Sequence, residues 1–288
     1  MSADAHSPTM RNRFWTPGPL IALAVLAIAS LWAVAPSLLT GANPVRTRLM
    51  ENFQPIAGLP GGSLAHPLGT DGLGRDLFAR IVYGARPSLL VGSISVVLAG
   101  LLGVGVGLLA GYFGRLWDLI LMGIADIQLG FPFLLMAITL AAIIGPGLHT
   151  AVIALVLTGW VPYARLARAE LLTMREQQFV QAAQAAGGSP IRIMLRHILP
   201  NLLPTLIVVA TFSFAQMIIM ESALSFLGLG VQPPRPSWGS MLSDARNYLT
   251  TAWWIGVFPG IAIVATVLSV NVIGERLREV LDPRFRSA

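Results

Sequence analysis

Six apolar runs, each about as long as a helix needs to cross a hydrocarbon layer roughly 30 Å thick, limit what this chain can fold into. They cover Pro19 to Leu39, Ser88 to Gly111, Trp117 to Ile144, His149 past Tyr163, Leu202 to Met220, and Trp254 to Ile273. A segment in lipid must satisfy its own backbone hydrogen bonds, so each run is predicted to be helical and the chain to be an all-α integral membrane protein. Composition agrees: 55% of the 288 residues are hydrophobic and 11% charged, where a soluble domain carries about 25% charged residues. The first run exceeds the roughly 7–15-residue core of a cleaved signal peptide, which favours an uncleaved span. The resulting plan is a tail over 1–18, a first span and long outer loop over 19–87, a core of five spans over 88–275, and a tail over 276–288.

Residue types that are missing exclude several chemistries. No cysteine is present, so there are no disulfides or thiolate metal sites. All 19 basic residues are arginine. Without lysine the phosphate loop GxxxxGK[ST] cannot be built, so an ATP-driven machine would need its ATPase on another polypeptide. HExxH is absent, and none of His6, His66, His149 and His197 lies in mid-span. No acid, base and nucleophile set can be assembled, so no catalytic residues are assigned. The net charge of +6 reflects topology rather than nucleic acid. With the N-terminus inside, inner segments hold 12 arginines and outer segments 7. That bias places both termini and the connection between the fourth and fifth spans in the cytoplasm.

Between the spans, Pro55, Pro60, Gly61, Gly62 and Pro67 mark loops, and Asp71 is expected to cap a helix carrying Leu73, Leu77, Ile81 and Val82. His66, Asp71 and Asp76 form a conceivable metal set, but their irregular spacing suits caps and surface pairs better, and no metal site is assigned. Gly103, Gly107 and Gly111, with Gly100 and Gly105, offer a small-residue face for close helix packing. Pro132 is expected to kink the third span, Pro233-Pro234-Arg235-Pro236 to be stiff and extended, and Trp253 and Trp254 to sit at the membrane interface. Asp126 and Glu221 are the intramembrane acids. They are candidates for a gate or translocation path, weighed against an interhelical hydrogen bond or a snorkelled pair.

Glu176 to Pro204 is polar at its start and lies between two spans. Phe179, Ala182, Ala183 and Ala186 share one face of a short helix. Gly187 and Gly188 end it, Ser189 and Pro190 begin a second, and Ile191, Met194, Leu195 and Ile198 line that one. Arg192 and Arg196 take another face, and Pro200 and Pro204 are expected to stop this helix. A bilayer-surface helix is the rival reading, but the alanine-rich face lacks large apolar anchors.

This stretch, with Gln181-Ala182-Ala183, Gly187 and Leu199-Pro200, resembles the "EAA" loop of permease subunits of ATP-binding-cassette (ABC) importers. Further motifs are similar to the C-type permease of dipeptide, oligopeptide and nickel importers. They are His66 to Asp71 with Gly74-Arg75-Asp76, Arg196 to Asn201, Ser225 to Val231, Pro236 to Gly239, and Leu281 to Arg284. The resemblance implies the type I permease fold, with six transmembrane helices and a cytoplasmic coupling helix, in the bacterial inner membrane. It implies ATPase coupling through Phe179, Gln181, Ala182, Ala183, Ala186, Gly187, Arg192, Leu199 and Pro200. It also implies a homologous B-type permease, two ABC ATPase subunits that carry ATP and Mg, and a periplasmic or lipid-anchored substrate-binding protein. This chain itself would bind no cofactor. Gln181 stands where the family usually has Glu, which removes one ion pair. Cargo by resemblance is di- or oligopeptide, with nickel and glutathione as alternatives. A stand-alone secondary transporter is the rival from another class, but no internal repeat supports it.

Overall fold

The computed structural model describes residues 17–281, whose regular elements are all helical. Five helices are long and apolar enough to span a bilayer: α1 (Pro17–Val34), α2 (Leu77–Phe113), α5 (Leu148–Arg175), α7 (Pro190–Phe226) and α9 (Trp254–Leu281). The expected third span is two helices, α3 (Arg115–Leu129) and α4 (Phe133–Ile144), which meet at 91°. Counted as one crossing, the pair brings the total to six. The break is local chemistry. Gly130 caps α3, and Pro132, lacking an N–H, holds an extended ψ of 131° ahead of α4. Two short helices complete the set, α6 (Gln178–Ala185) and α8 (Trp238–Ala245).

Several boundaries differ from expectation. α2 starts eleven residues before Ser88 and runs through Pro87. Its N-cap is Asp76, whose carboxylate accepts from the Ala79 N–H at 2.8 Å; Asp71 instead caps the turn before it. Pro87 does not end the helix because both flanks are held: Ile81 O accepts from Trp238 Nε1 at 3.0 Å and Ser88 Oγ from the Trp238 N–H at 3.3 Å. Pro200 and Pro204 likewise lie inside α7 rather than stopping a helix before it. The chain turns at Pro233-Pro234 rather than staying extended. α9 continues past Ile273 to Leu281. The Asp282-Pro283-Arg284 motif, Arg11 and Arg13 lie outside the described residues.

The most extensive helix pair is α2 against α5. Glycine spacing explains it. A Cβ on Gly103 would lie 2.2 Å from Trp160 O, and one on Gly107 2.3 Å from Ala164 O. Backbone therefore touches backbone, which is how helices gain contact in lipid without a hydrophobic driving force between them. Gly105 meets nothing within 4 Å and belongs to another face.

Residues 40–76 fold into a cap over one end of the bundle. Backbone hydrogen bonds stitch its two arms: Arg48 N to Leu73 O at 3.0 Å, Phe53 N to Asp71 O at 3.1 Å and Thr70 N to Gln54 O at 3.0 Å. The cap rests on α2, α8 and α9, with Phe53, Ile56 and Leu68 packed against the cluster of Leu77, Met241, Ala245, Trp254 and Ile255. Trp254 is buried there and donates from Nε1 to Thr70 O at 3.2 Å, so it anchors the cap; only Trp253 faces outward.

Candidate functional site

α6 projects from the end of the bundle opposite the cap, between α5 and α7. Val180, fully buried, pins it to the main core, and Ala183 packs half-buried beside it. One turn later the helix closes with Gly187 N donating to Gln184 O and Gly188 N to Ala183 O, both at 3.0 Å. This paired closure requires a left-handed residue, and Gly187 supplies it at φ +78°. Gly188 is needed for a different reason: a Cβ there would lie 2.8 Å from Ala183 O. Ser189 then caps the next helix by accepting from the Arg192 N–H at 3.4 Å, with Pro190 in the first turn.

The remaining coupling candidates face away from the bundle. Phe179, Gln181, Ala182, Ala186, Arg192 and Pro200 are exposed, and Leu199 is half-buried. The face read from sequence is thus mostly the outward face, with Ala183 turned inward and Val180 as the inner anchor. In the second helix the expected apolar face also shifts. Ile193, Met194 and Ile198 are buried, whereas Ile191 and Leu195 are exposed. The reason is a π-turn over Ile193–Ile198: its wider turn brings residues five apart onto one side, where a regular helix brings three and four.

The two candidate acids have different surroundings. Asp126 on α3 is exposed and paired with Arg165 of α5 at 2.6 Å. Asp118, about two turns earlier, is gripped by Nε and Nη2 of Arg168, the latter at 2.6 Å. These two pairs tie the bent α3–α4 unit to α5 just before α6. Sequence reasoning did not use Asp118; its eight-residue spacing from Asp126 puts both on one stripe and was the available signal. Glu221 on α7 is fully buried and accepts from Ser225 Oγ at 2.7 Å. Ser225 Oγ in turn accepts from the Val231 N–H at 3.2 Å. A Cβ on Gly239 of α8 would lie 2.5 Å from Ser222 O, so α8 presses directly on this turn. The carboxyl sits inside a packed junction of α7 and α8 and lines no open path in this conformation.

In the cap, His66 lies between two carboxylates, with Nδ1 2.9 Å from Asp76 Oδ1 and Nε2 3.1 Å from Glu51 Oε2. Asp71 points elsewhere, to Arg75 at 2.7 Å and Arg80 at 3.0 Å, and Arg80 also reaches Asp244 of α8 at 3.0 Å. The three residues weighed as metal ligands are thus divided between two ion-pair systems. Hydrogen bonding from Arg48, reinforced by His66, holds the Glu51 carboxyl below the usual carboxylate range.

Residues 103–287 match the family of binding-protein-dependent transport system inner membrane components. The chain belongs to this family. It is 42% identical over 283 residues to the dipeptide transport system permease protein DppC of Escherichia coli K12, covering 96% of this chain and 94% of that one. It is 43% identical over 301 residues to DppC of Alkalihalophilus pseudofirmus, covering all of this chain and 97% of its relative. Among solved structures, the inward-facing MetNI methionine ABC transporter matches 72% of this chain and 98% of its own, with a TM-score of 0.58 at 19% identity, a likeness of fold alone. As a binding-protein-dependent permease, the chain is one multi-span, inner-membrane subunit of an ABC importer.

Proposed function

We propose that this permease imports di- or oligopeptides by alternating access, as half of a transmembrane pathway completed by a homologous B-type subunit. Two separate ATPase subunits supply ATP hydrolysis, and an external substrate-binding protein delivers cargo. The observation that carries the coupling role is α6: a two-turn helix fixed by Val180 and the Gly187 closure, with Phe179, Gln181, Ala182 and Ala186 left facing outward. Alanine methyls on that face let a partner's backbone come close, and Gln181 offers a neutral hydrogen-bonding group there. Both termini and α6 are cytoplasmic in this reading, with the cap outside. The peptide cargo is supported by the names of relatives at 42–43% identity. The complete absence of lysine leaves this chain without a phosphate loop of its own.

The test is co-purification of the assembled importer with peptide uptake in vesicles. Ala182→Arg and Ala186→Arg put a bulky cation on an exposed face, so insertion and pairing with the other permease survive while ATPase subunits are lost or uptake is uncoupled from hydrolysis. Gln181→Glu retains coupling. Normal ATPase retention and normal uptake in Ala182→Arg would remove α6 from the coupling role.

A further inference from the structure

A crevice of about 490 Å3 opens sideways between α1 and α2, in the half of the bundle nearer the cap. Its walls are Leu26, Ala29 and Ala33 of α1, Leu89 and Ile94 of α2, and Phe214 of α7 at its floor. The volume falls within the roughly 300–1,000 Å3 typical of small-ligand sites. Along α1 the lining runs from Leu26 to Val34, a rise of about 12 Å, comparable with most of one leaflet of hydrocarbon. At the cap end of this apolar slot stands Arg86.

Arg86 differs from its neighbours on the same helix. Arg80 is paired with Asp71 and Asp244, and Arg75, just before the helix, with Asp71 and Asp244 as well. Arg86 is exposed and has no hydrogen bond or ion pair among the described residues. No acid lines the crevice. A cation at the lip of an apolar slot calls for an anion attached to an apolar chain. A phospholipid carries its phosphate at that level already, and guanidinium groups bind phosphate through charge-assisted, often bidentate, hydrogen bonds. We propose that the crevice is a binding site for an anionic phospholipid of the leaflet opposite α6, with one acyl chain between α1 and α2 and the phosphate on Arg86.

The probes are phosphatidylglycerol and a diacylglycerol with the same chains, titrated into the purified importer and read by native mass spectrometry. Phosphatidylglycerol is expected to bind at least about tenfold more tightly than diacylglycerol, the scale of one charged hydrogen bond. Arg86→Gln reduces phosphatidylglycerol to the diacylglycerol level, whereas Arg86→Lys keeps most of the preference. Ala33→Trp fills the slot and weakens both lipids. Variants are compared only after the assembled complex is shown intact by its mass. Unchanged phosphatidylglycerol binding in both Arg86→Gln and Ala33→Trp overturns the proposal. So does efficient oxidative cross-linking of Ser30→Cys or Ser93→Cys to any of a series of single cysteines introduced on the partner permease, because that outcome places protein in the slot.

Discussion

At the capped end of the bundle, Glu51, Asp71, Asp76 and Asp244 are each held in an ion pair with an arginine or His66, and two arms of backbone are stitched together over them. At the other end, α6 is tied to the core by one buried valine and one half-buried alanine, and its remaining side chains point outward. Both ends are polar in sequence and both are punctuated by glycine. They differ in where the polar groups go. The cap uses them internally, which fixes its shape without outside help. α6 spends only one of them, with Gln181 Nε2 donating to Glu176 O at 3.3 Å; the side chains of Gln178 and Gln184 stay free among the described residues, so its face is complete only against a partner. Buried satisfaction marks the first as scaffold, and its lack marks the second as a contact surface.

The sharpest way to break this comparison is the same substitution at two glycines of like conformation. Gly74 has φ +68° and its added Cβ would lie 1.9 Å from Arg48 O. Gly74→Ala should therefore cost more than about 4 kcal/mol and abolish accumulation in the membrane, read by immunoblot. Next in size is Asp71→Asn. It removes the charge facing Arg75 and Arg80, and Arg80 is only 3% exposed. A loss of about 3 kcal/mol is expected, as for other broken buried pairs, measured as thermal unfolding in detergent. Gly187 has φ +78° but nothing within 4 Å of an added Cβ. Gly187→Ala should cost only the roughly 1–2 kcal/mol of a left-handed non-glycine residue. Membrane levels should hold while ATPase retention falls. If Gly187→Ala lowers membrane levels as much as Gly74→Ala, the distinction between scaffold and contact surface collapses.

The smallest effect concerns Glu51. Its carboxyl titrates below the ordinary 4.5 because Arg48, then His66, stabilise the anion. A depressed folded value contributes stability that is complete above 4.5 and fades as pH falls through the folded value. Cap amides should therefore exchange faster with solvent as pH falls below 4.5, after correction for intrinsic rates. Glu51→Gln should flatten that dependence and leave neutral-pH uptake unchanged.

Much of the architecture was legible from apolar runs and helix signals. Six stretches, the Pro132 break, the Gly103-Gly107-Gly111 contact and the Gly187 closure all follow from local chemistry. What local chemistry misses is register and continuity. Ser88 reads as the start of a span and Pro200 and Pro204 as stops, yet α2 and α7 run through them, and tertiary contacts of Trp238 with Ile81 and Ser88 carry α2 past Pro87. A period of three and four residues could not anticipate that a π-turn would bury Ile193 and expose Leu195. Val180 was passed over because the alanines form the more conspicuous stripe. The partner of Asp118 lies 50 residues away, a pairing that no window on the sequence spans.

α7 runs unbroken over 37 residues, from the Ser189 cap beside α6 to the junction that buries Glu221, and contains no glycine between Pro190 and Phe226. At 1.5 Å per residue the rod is roughly 55 Å long, so a tilt of about 1° at one end moves the other by about 1 Å. The helix is therefore a lever. Its stiffness converts a small rotation on one side of the membrane into a displacement of atomic size on the other, and the π-turn with Pro200 and Pro204 beside it, near the short arm, is where that rotation can be absorbed before it travels.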